Sequence, residues 1–187
     1  MTPFVTMRRA LSDRHLLGAA LGGDSWLAWC VFIAAMGEPL TDEERTIFAK
    51  LTGREHEPGV RVDEFWCVIG LRGGKSRAIA ALLVYLATMA DYRVQLVSGE
   101  RGVVLCLART QEQAQVVLEY VAGVIDDAPI LAKMVIRRAA DSLTLLNRGA
   151  TIVIAVRAAS FRSVRGLTCV AAVADDCLLY TSPSPRD

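Results

Sequence analysis

The residues best suited to chemistry lie in one short run, Gly70-Leu-Arg-Gly-Gly-Lys-Ser76. A polyphosphate is a string of negative oxygens, and backbone N–H groups can surround it only where side chains do not intervene. That requirement accounts for Gly70, Gly73 and Gly74. Lys75 would reach the β- and γ-phosphates, and the Ser76 hydroxyl would hold Mg²⁺. A bland reading, a surface turn between a strand and a helix, uses the same residues. The usual spacing, G-x-x-x-x-G-K-S/T, also puts its first glycine where this chain has Ile69.

Such a turn works only if regular elements hold it. The apolar stretch Glu64-Phe-Trp-Cys-Val-Ile69 predicts a strand leading into it, and the apolar run to Ala90 predicts a helix starting near Lys75. That helix would aim its positive dipole end at the phosphates. A metal-assisted site also needs a carboxylate at the tip of an apolar strand, and Cys169-Val-Ala-Ala-Val-Ala-Asp175 supplies one. Asp175 would serve the Mg²⁺. Asp176 stands where a hydrolase places the carboxylate that polarises the attacking water. The alternative is a turn-forming Asp-Asp pair after a buried strand.

The rest of the chain reads as alternating strands and helices. Thr41-Asp-Glu-Glu44 and Thr110-Gln-Glu-Gln113 are capping boxes that predict helices over 42–51 and to about Ile125. Ala114, Val117, Leu118, Val121 and Ile125 share one face of the second. Trp26–Met36 reads as a buried helix and Val103–Leu107 as a buried strand. Asn147-Arg148-Gly149 between Leu143–Leu146 and Thr151–Val156 is a hairpin signature. The pair Asp126-Asp127 reads as a helix end rather than a metal site, and His56 has no ligand-like neighbour in its charged loop.

Composition bounds the reading. The chain has 187 residues, is 53% hydrophobic and carries a net charge of +1, enough for a full core without staples. Five cysteines without C-x-x-C spacing suit a reducing cytoplasm and argue against a metal cluster. The longest apolar runs fall short of a membrane span, and no signal-peptide pattern precedes them. Residues 38–64 hold eight acids against four Lys/Arg, whereas 137–166 hold six arginines and one acid, Asp141. Those arginines fit either a surface for a phosphate backbone or a solvated face.

From about Pro39 to Asp175 the chain resembles the ATPase domain of the large terminase subunit of tailed bacteriophages, the motor that pumps DNA into the capsid. The matching pieces are Leu40-Thr-Asp-Glu-Glu-Arg45, Leu51-Thr-Gly-Arg54, Gly70–Arg77, Gly99-Glu-Arg-Gly-Val-Val-Leu-Cys-Leu107, Arg157-Ala-Ala-Ser-Phe161 and Arg165-Gly166. Terminases often deviate from the standard phosphate-loop spacing, so the departure at Ile69 favours this family. The resemblance implies a three-layer P-loop NTPase (RecA/ASCE-like) with a mostly parallel sheet, here broken off after the strand ending at Asp175. It implies ATP and Mg²⁺ as cofactors, with Gly70, Leu71, Arg72, Gly73, Gly74, Lys75, Ser76 and Arg77 around the nucleotide. Lys75, Asp176 and Arg72 are then the catalytic set, and Ser76 and Asp175 the metal ligands. Arg72 answers to the arginine common in terminase loops; its other reading is a solvated turn residue. Double-stranded DNA, a small terminase subunit and a portal protein are the implied partners. A homo-oligomeric ring in the host cytoplasm, without a membrane, is the implied setting.

Two departures stand out. The family has Asp-Glu where this chain has Asp175-Asp176, and it continues into a nuclease domain. This chain ends Cys177-Leu-Leu-Tyr-Thr-Ser-Pro-Ser-Pro-Arg-Asp187, which resembles translated read-through of a transposase-type sequencing adaptor. The expected organisation is therefore a helical segment over 1–38, an incomplete ATPase domain over 39–176 and a non-native tail over 177–187. A foreign third base at codon 176 would turn a native glutamate codon into aspartate and join both departures in one cause. Two other readings stay open: another P-loop DNA-translocating or helicase-like ATPase, and a nucleotide-binding module that does not hydrolyse.

Overall fold

A computed structural model describes residues 2–70, 72–160 and 164–175. In chain order the elements are β1 (Thr2–Pro3), α1 (Met7–Ser12), a 3-10 segment (Asp24–Cys30), α2 (Val31–Ala35), α3 (Asp42–Thr52), α4 (Lys75–Thr88) and β2 (Ala90–Asp91). There follow β3 (Arg101–Ala108), α5 (Gln111–Asp126), α6 (Pro129–Ala132), β4 (Val135–Ala139), β5 (Ser142–Asn147), β6 (Ala150–Ala158) and β7 (Cys169–Asp175).

Helix α4 has almost no polar face, so it must be covered on all sides. Ala78, Ala80, Ala81, Leu83, Val84, Tyr85 and Ala87 are all essentially inaccessible. Its two hydroxyls are both satisfied: Thr88 Oγ1 donates within the helix to the Val84 carbonyl (2.7 Å), and Tyr85 Oη donates to the Val5 carbonyl of the N-terminal segment (2.9 Å). Helix α5 packs beside it through the predicted face, with Ala114, Val117, Leu118, Val121 and Ile125 buried. The capping box at Thr41 forms with both of its bonds, whereas at Thr110 one half of it is seen, the Thr110 hydroxyl accepting from Gln113 N–H.

The main sheet has the order β4-β5-β6-β3-β7. β3 pairs in parallel with β6 and with β7, while β4–β5 and β5–β6 are antiparallel. The fold is thus mixed α/β with a partly parallel sheet rather than a mostly parallel one. The predicted hairpin is β5–β6, turned by Arg148 (φ 50°) and Gly149 (φ 90°); two positive φ angles match the right-handed twist of the strands. Asn147, at the hairpin's neck, is buried because its amide donates to the Ala87 and Ala90 carbonyls (3.0 and 2.9 Å).

Three expectations need correction. The stretch 64–69 is not a strand: it joins no ladder, and Trp66 and Val68 are exposed. The edge strands of the sheet are β4 and β7, and 64–69 pairs with neither. Cys67 is consequently exposed, together with Cys169, whereas Cys30 and Cys106 are buried. The sheet is also not layered on both faces among the described residues. Val104, Cys106, Ile152, Ile154 and Val156 share one hydrophobic cluster with α4 and α5, while Val103, Leu105 and Ala155 are backed by Val164 and Leu167. The apolar residues that would make a third layer are spent elsewhere: Met7, Leu17, Trp29 and Phe32 pack in the cluster that contains α4. Finally, Trp26–Met36 is helical but split between the 3-10 segment and α2.

Two carboxylates tie the segment before the glycine-rich turn together. Glu44 accepts from both Arg8 guanidinium nitrogens (2.9 and 2.6 Å) and from Thr41 N–H (2.8 Å). Glu57 accepts from Arg45 Nε and Nη2 (3.0 and 2.9 Å) and from Leu40 N–H (2.8 Å). The hydrogen-bonded guanidinium of Arg8 lowers the Glu44 pKa, and that of Arg45 holds Glu57 at about 2. A carboxylate depressed in the folded state adds stability above its unfolded value of about 4.3, and this is lost as pH falls toward the folded value. Urea unfolding should therefore give a stability that declines between about pH 4.5 and pH 2. The double variant Glu44→Gln/Glu57→Gln should flatten that decline. An unchanged slope would assign the acid sensitivity to other groups.

Candidate phosphate site at the carboxyl ends of the parallel strands

Residues 158, 108 and 175 end β6, β3 and β7 at one level, since Ala108 is opposite both Ala158 and Asp175. The first turn of α4 rises at the same end. Ligands of open α/β sheets bind in this position because helix N-termini and loop residues converge there. Lys75, the first residue of α4, reaches Asp175, the last of β7, with Nζ 2.9 Å from Oδ1. The Asp175 side chain is 9% exposed and that of Lys75 28%, so the pair lies at the floor of the site with its cation toward solvent.

In the described part of the turn the left-handed backbone is used at Arg72 and Gly74, not at Gly70 or Gly73. Gly74 caps α4 at φ 74° without any side-chain cap bond, and Arg72 also lies in the left-handed region at φ 62°. Gly73 N–H donates back to the Gly70 carbonyl (3.2 Å), closing the turn. A β-carbon at Gly73 would collide with Ile69 Cγ2, and one at Gly74 would lie 2.6 Å from Trp26 Cη2. At Gly70 the space is open.

The structure thus brings Gly70, Arg72, Gly73, Gly74, Lys75, Ser76 and Asp175 to one end of the sheet. Ser76 is half-buried in the first turn of α4, and Arg72 is exposed. Arg77 turns elsewhere: its Nη2 donates to the Ala19 carbonyl (3.0 Å), and the guanidinium lies 5.2 Å from the centre of the Trp26 ring. Leu71 and Asp176 lie outside the described residues, as does the tail 177–187. Beside the pair runs a cavity of about 530 Å³ between the 61–69 segment and β7, lined by Phe32, Phe65, Ile69, Ile79, Val173 and Asp175 among others.

The arginines of 137–166 do not converge among the described residues. Arg138 pairs with Asp126, which accounts for that end of α5, and Arg148 lies over the Phe4 ring at 4.6 Å. Arg148 precedes β6 while Arg157 is near its far end, a strand-length away. His56 lines a separate hollow of about 360 Å³ with Arg45 and Glu57. No cluster of His, Cys, Asp and Glu suited to a metal occurs among the described residues. Burial pushes the Cys30 thiol up to about 11, which leaves it a poor nucleophile. Trp26 was the residue sequence reasoning missed, since nothing in its local pattern connects it to a turn that follows α3. No described helix is long and apolar enough to cross a membrane.

Compared with protein-family models, curated proteins and solved structures, the chain shows no match. The chemistry of the site therefore rests on its own geometry. Replacing Lys75 by alanine removes the ammonium beside a nearly buried carboxylate. Urea unfolding at pH 7 should show a loss of about 1 kcal/mol, the range for a partly solvated ion pair. A variant as stable as the wild type would mean that the pair contributes nothing to the fold.

Proposed function

We propose that the chain binds the phosphates of ATP with Mg²⁺ at Gly70–Ser76 and Asp175, on a sheet of the P-loop NTPase kind. The observation that carries this reading is the meeting of Lys75 and Asp175 at the carboxyl ends of parallel strands. The turn's left-handed backbone and the N-terminus of a long helix supply the anion-binding geometry around them. The resemblance of 39–175 to the large terminase subunit extends the reading to a motor that hydrolyses ATP to drive double-stranded DNA into a capsid. The small terminase subunit, the portal protein and a ring of copies belong to that extension, as does the host cytoplasm.

The donors suit the metal. A hydroxyl and a carboxylate are hard oxygen ligands, and Mg²⁺ typically takes one or two carboxylates, keeps several waters and completes its shell with substrate phosphates. Ser76 and Asp175 would hold Mg²⁺, which would supply positive charge to offset the charge that develops in phosphoryl transfer. The chain's own part is positional. Lys75 exchanges its contact with Asp175 for the β- and γ-phosphates, and the backbone of the turn encloses them. Arg72, held exposed at the tip of the turn, stabilises charge on the γ-phosphate. A carboxylate at 176 accepts the proton of the attacking water.

One observation favours a second reading for the 187-residue chain, a nucleotide-binding module without turnover. The segment 64–69 lies outside the sheet, so the turn lacks the strand that would fix its height against Asp175. A displacement of about 1 Å can cost a hundredfold in rate. Titration calorimetry with ATP and magnesium chloride tests the shared premise: the wild type should bind and Lys75→Ala should not. Equal affinity of the two proteins would refute the phosphate site. Where turnover is measurable, Arg72→Ala should lower it about 10²–10³-fold with little change in ATP affinity. Stimulation of that turnover by double-stranded DNA is the result expected of a packaging motor.

A further inference from the structure

We infer that Trp26 and Ile69 are positioning residues that clamp the glycine-rich turn in shape before any ligand arrives. The inference rests on the phosphate reading only for what the turn then accepts. Gly74 has no side-chain cap, and Arg72 holds a left-handed conformation that strains a residue with a β-carbon. Something outside the turn must offset that cost. Where Gly74 would carry a β-carbon, the edge of the Trp26 indole sits instead, with Cη2 and Cζ3 at 2.6 and 2.7 Å from that position. Where Gly73 would carry one, Ile69 Cγ2 sits. The two glycines therefore serve as sockets for side chains as well as hinges for the backbone.

Both wedges are anchored. Trp26 and Ile69 are half-buried and pack against the main hydrophobic cluster. The Arg77 guanidinium lies over the Trp26 ring, and its Nη2 donates to the Ala19 carbonyl. A circuit closes: the turn leads into α4, Arg77 of α4 grips the N-terminal segment, and Trp26 of that segment presses back on the turn. The departure from glycine at position 69 acquires a reason, because a glycine there would leave the Gly73 socket empty. Residues 1–38 thereby enter the site without touching a phosphate.

Limited trypsin digestion of the full ligand-free chain, with products read by mass spectrometry, tests the clamp. Cleavage after Arg72 requires the turn to open. Trp26→Ala and Ile69→Ala should each speed that cleavage about tenfold, Trp26→Phe should restore it toward the wild-type rate, and cleavage after Arg54 should not change. Ile69 lies on an exposed segment, so its variant keeps the test available if Trp26→Ala fails to fold. In parallel, Trp26→Ala should weaken binding of ATP with magnesium chloride about tenfold, and Trp26→Phe should recover it. Cleavage after Arg72 at the wild-type rate in both alanine variants overturns the clamp. Absence of ATP binding by the wild type overturns the phosphate reading alone, because the digestion is read without ligand.

Discussion

Burial of α4 on every side is the constraint from which the remaining structure follows. Each of its large side chains removed from water contributes about 2 kcal/mol, but only if sheet, neighbouring helix and N-terminal segment all close around it. Its alanines let those partners approach the backbone. The helix must therefore cross the sheet with α5 beside it and the first 40 residues over its flank. Its polar start, Lys75-Ser-Arg77, is the one part that need not be covered, and it is left at the carboxyl ends of β3, β6 and β7.

That placement puts a cation and a carboxylate together where the low-polarity floor strengthens their attraction. Lys75 and Asp175 come from elements with no local relation, joined through the register of β3 and β7. Charge elsewhere is settled in separate pairs: Arg8 with Glu44, Arg45 with Glu57, Arg138 with Asp126. Within the arginine-rich stretch Arg138 and Arg148 take separate partners once folded, Asp126 and the Phe4 ring, which a linear count of charges does not reveal.

The side of the site formed by 61–69 differs in kind. Apolar residues are exposed there and a cavity separates them from β7, so the turn is held by single side-chain contacts rather than by a hydrogen-bonded ladder. Trp26 and Ile69 supply that hold at the two glycines. A loop seated on contacts from two separate elements can keep its shape without being rigidly part of the sheet.

Local features were legible in the sequence because their causes are local. The capping boxes at Thr41 and Thr110, the turn at Arg148-Gly149 and the apolar periodicity of α5 each depend on residues within one or two turns of the chain. The start of α4 after the glycine-rich turn was legible for the same reason, whereas the meeting of Lys75 with Asp175 depends on the register of distant strands. Composition misled where partners mattered. The stretch 64–69 has strand-like residues, but a strand exists only when it pairs with a neighbour, and 64–69 lies across a cavity from β7. A high apolar content suggested a third layer, whereas packing used those residues around α4. The position of Trp26 against Gly74 could come only from the tertiary structure: the contact joins segments on opposite sides of α3, and no spacing rule in a linear chain encodes it.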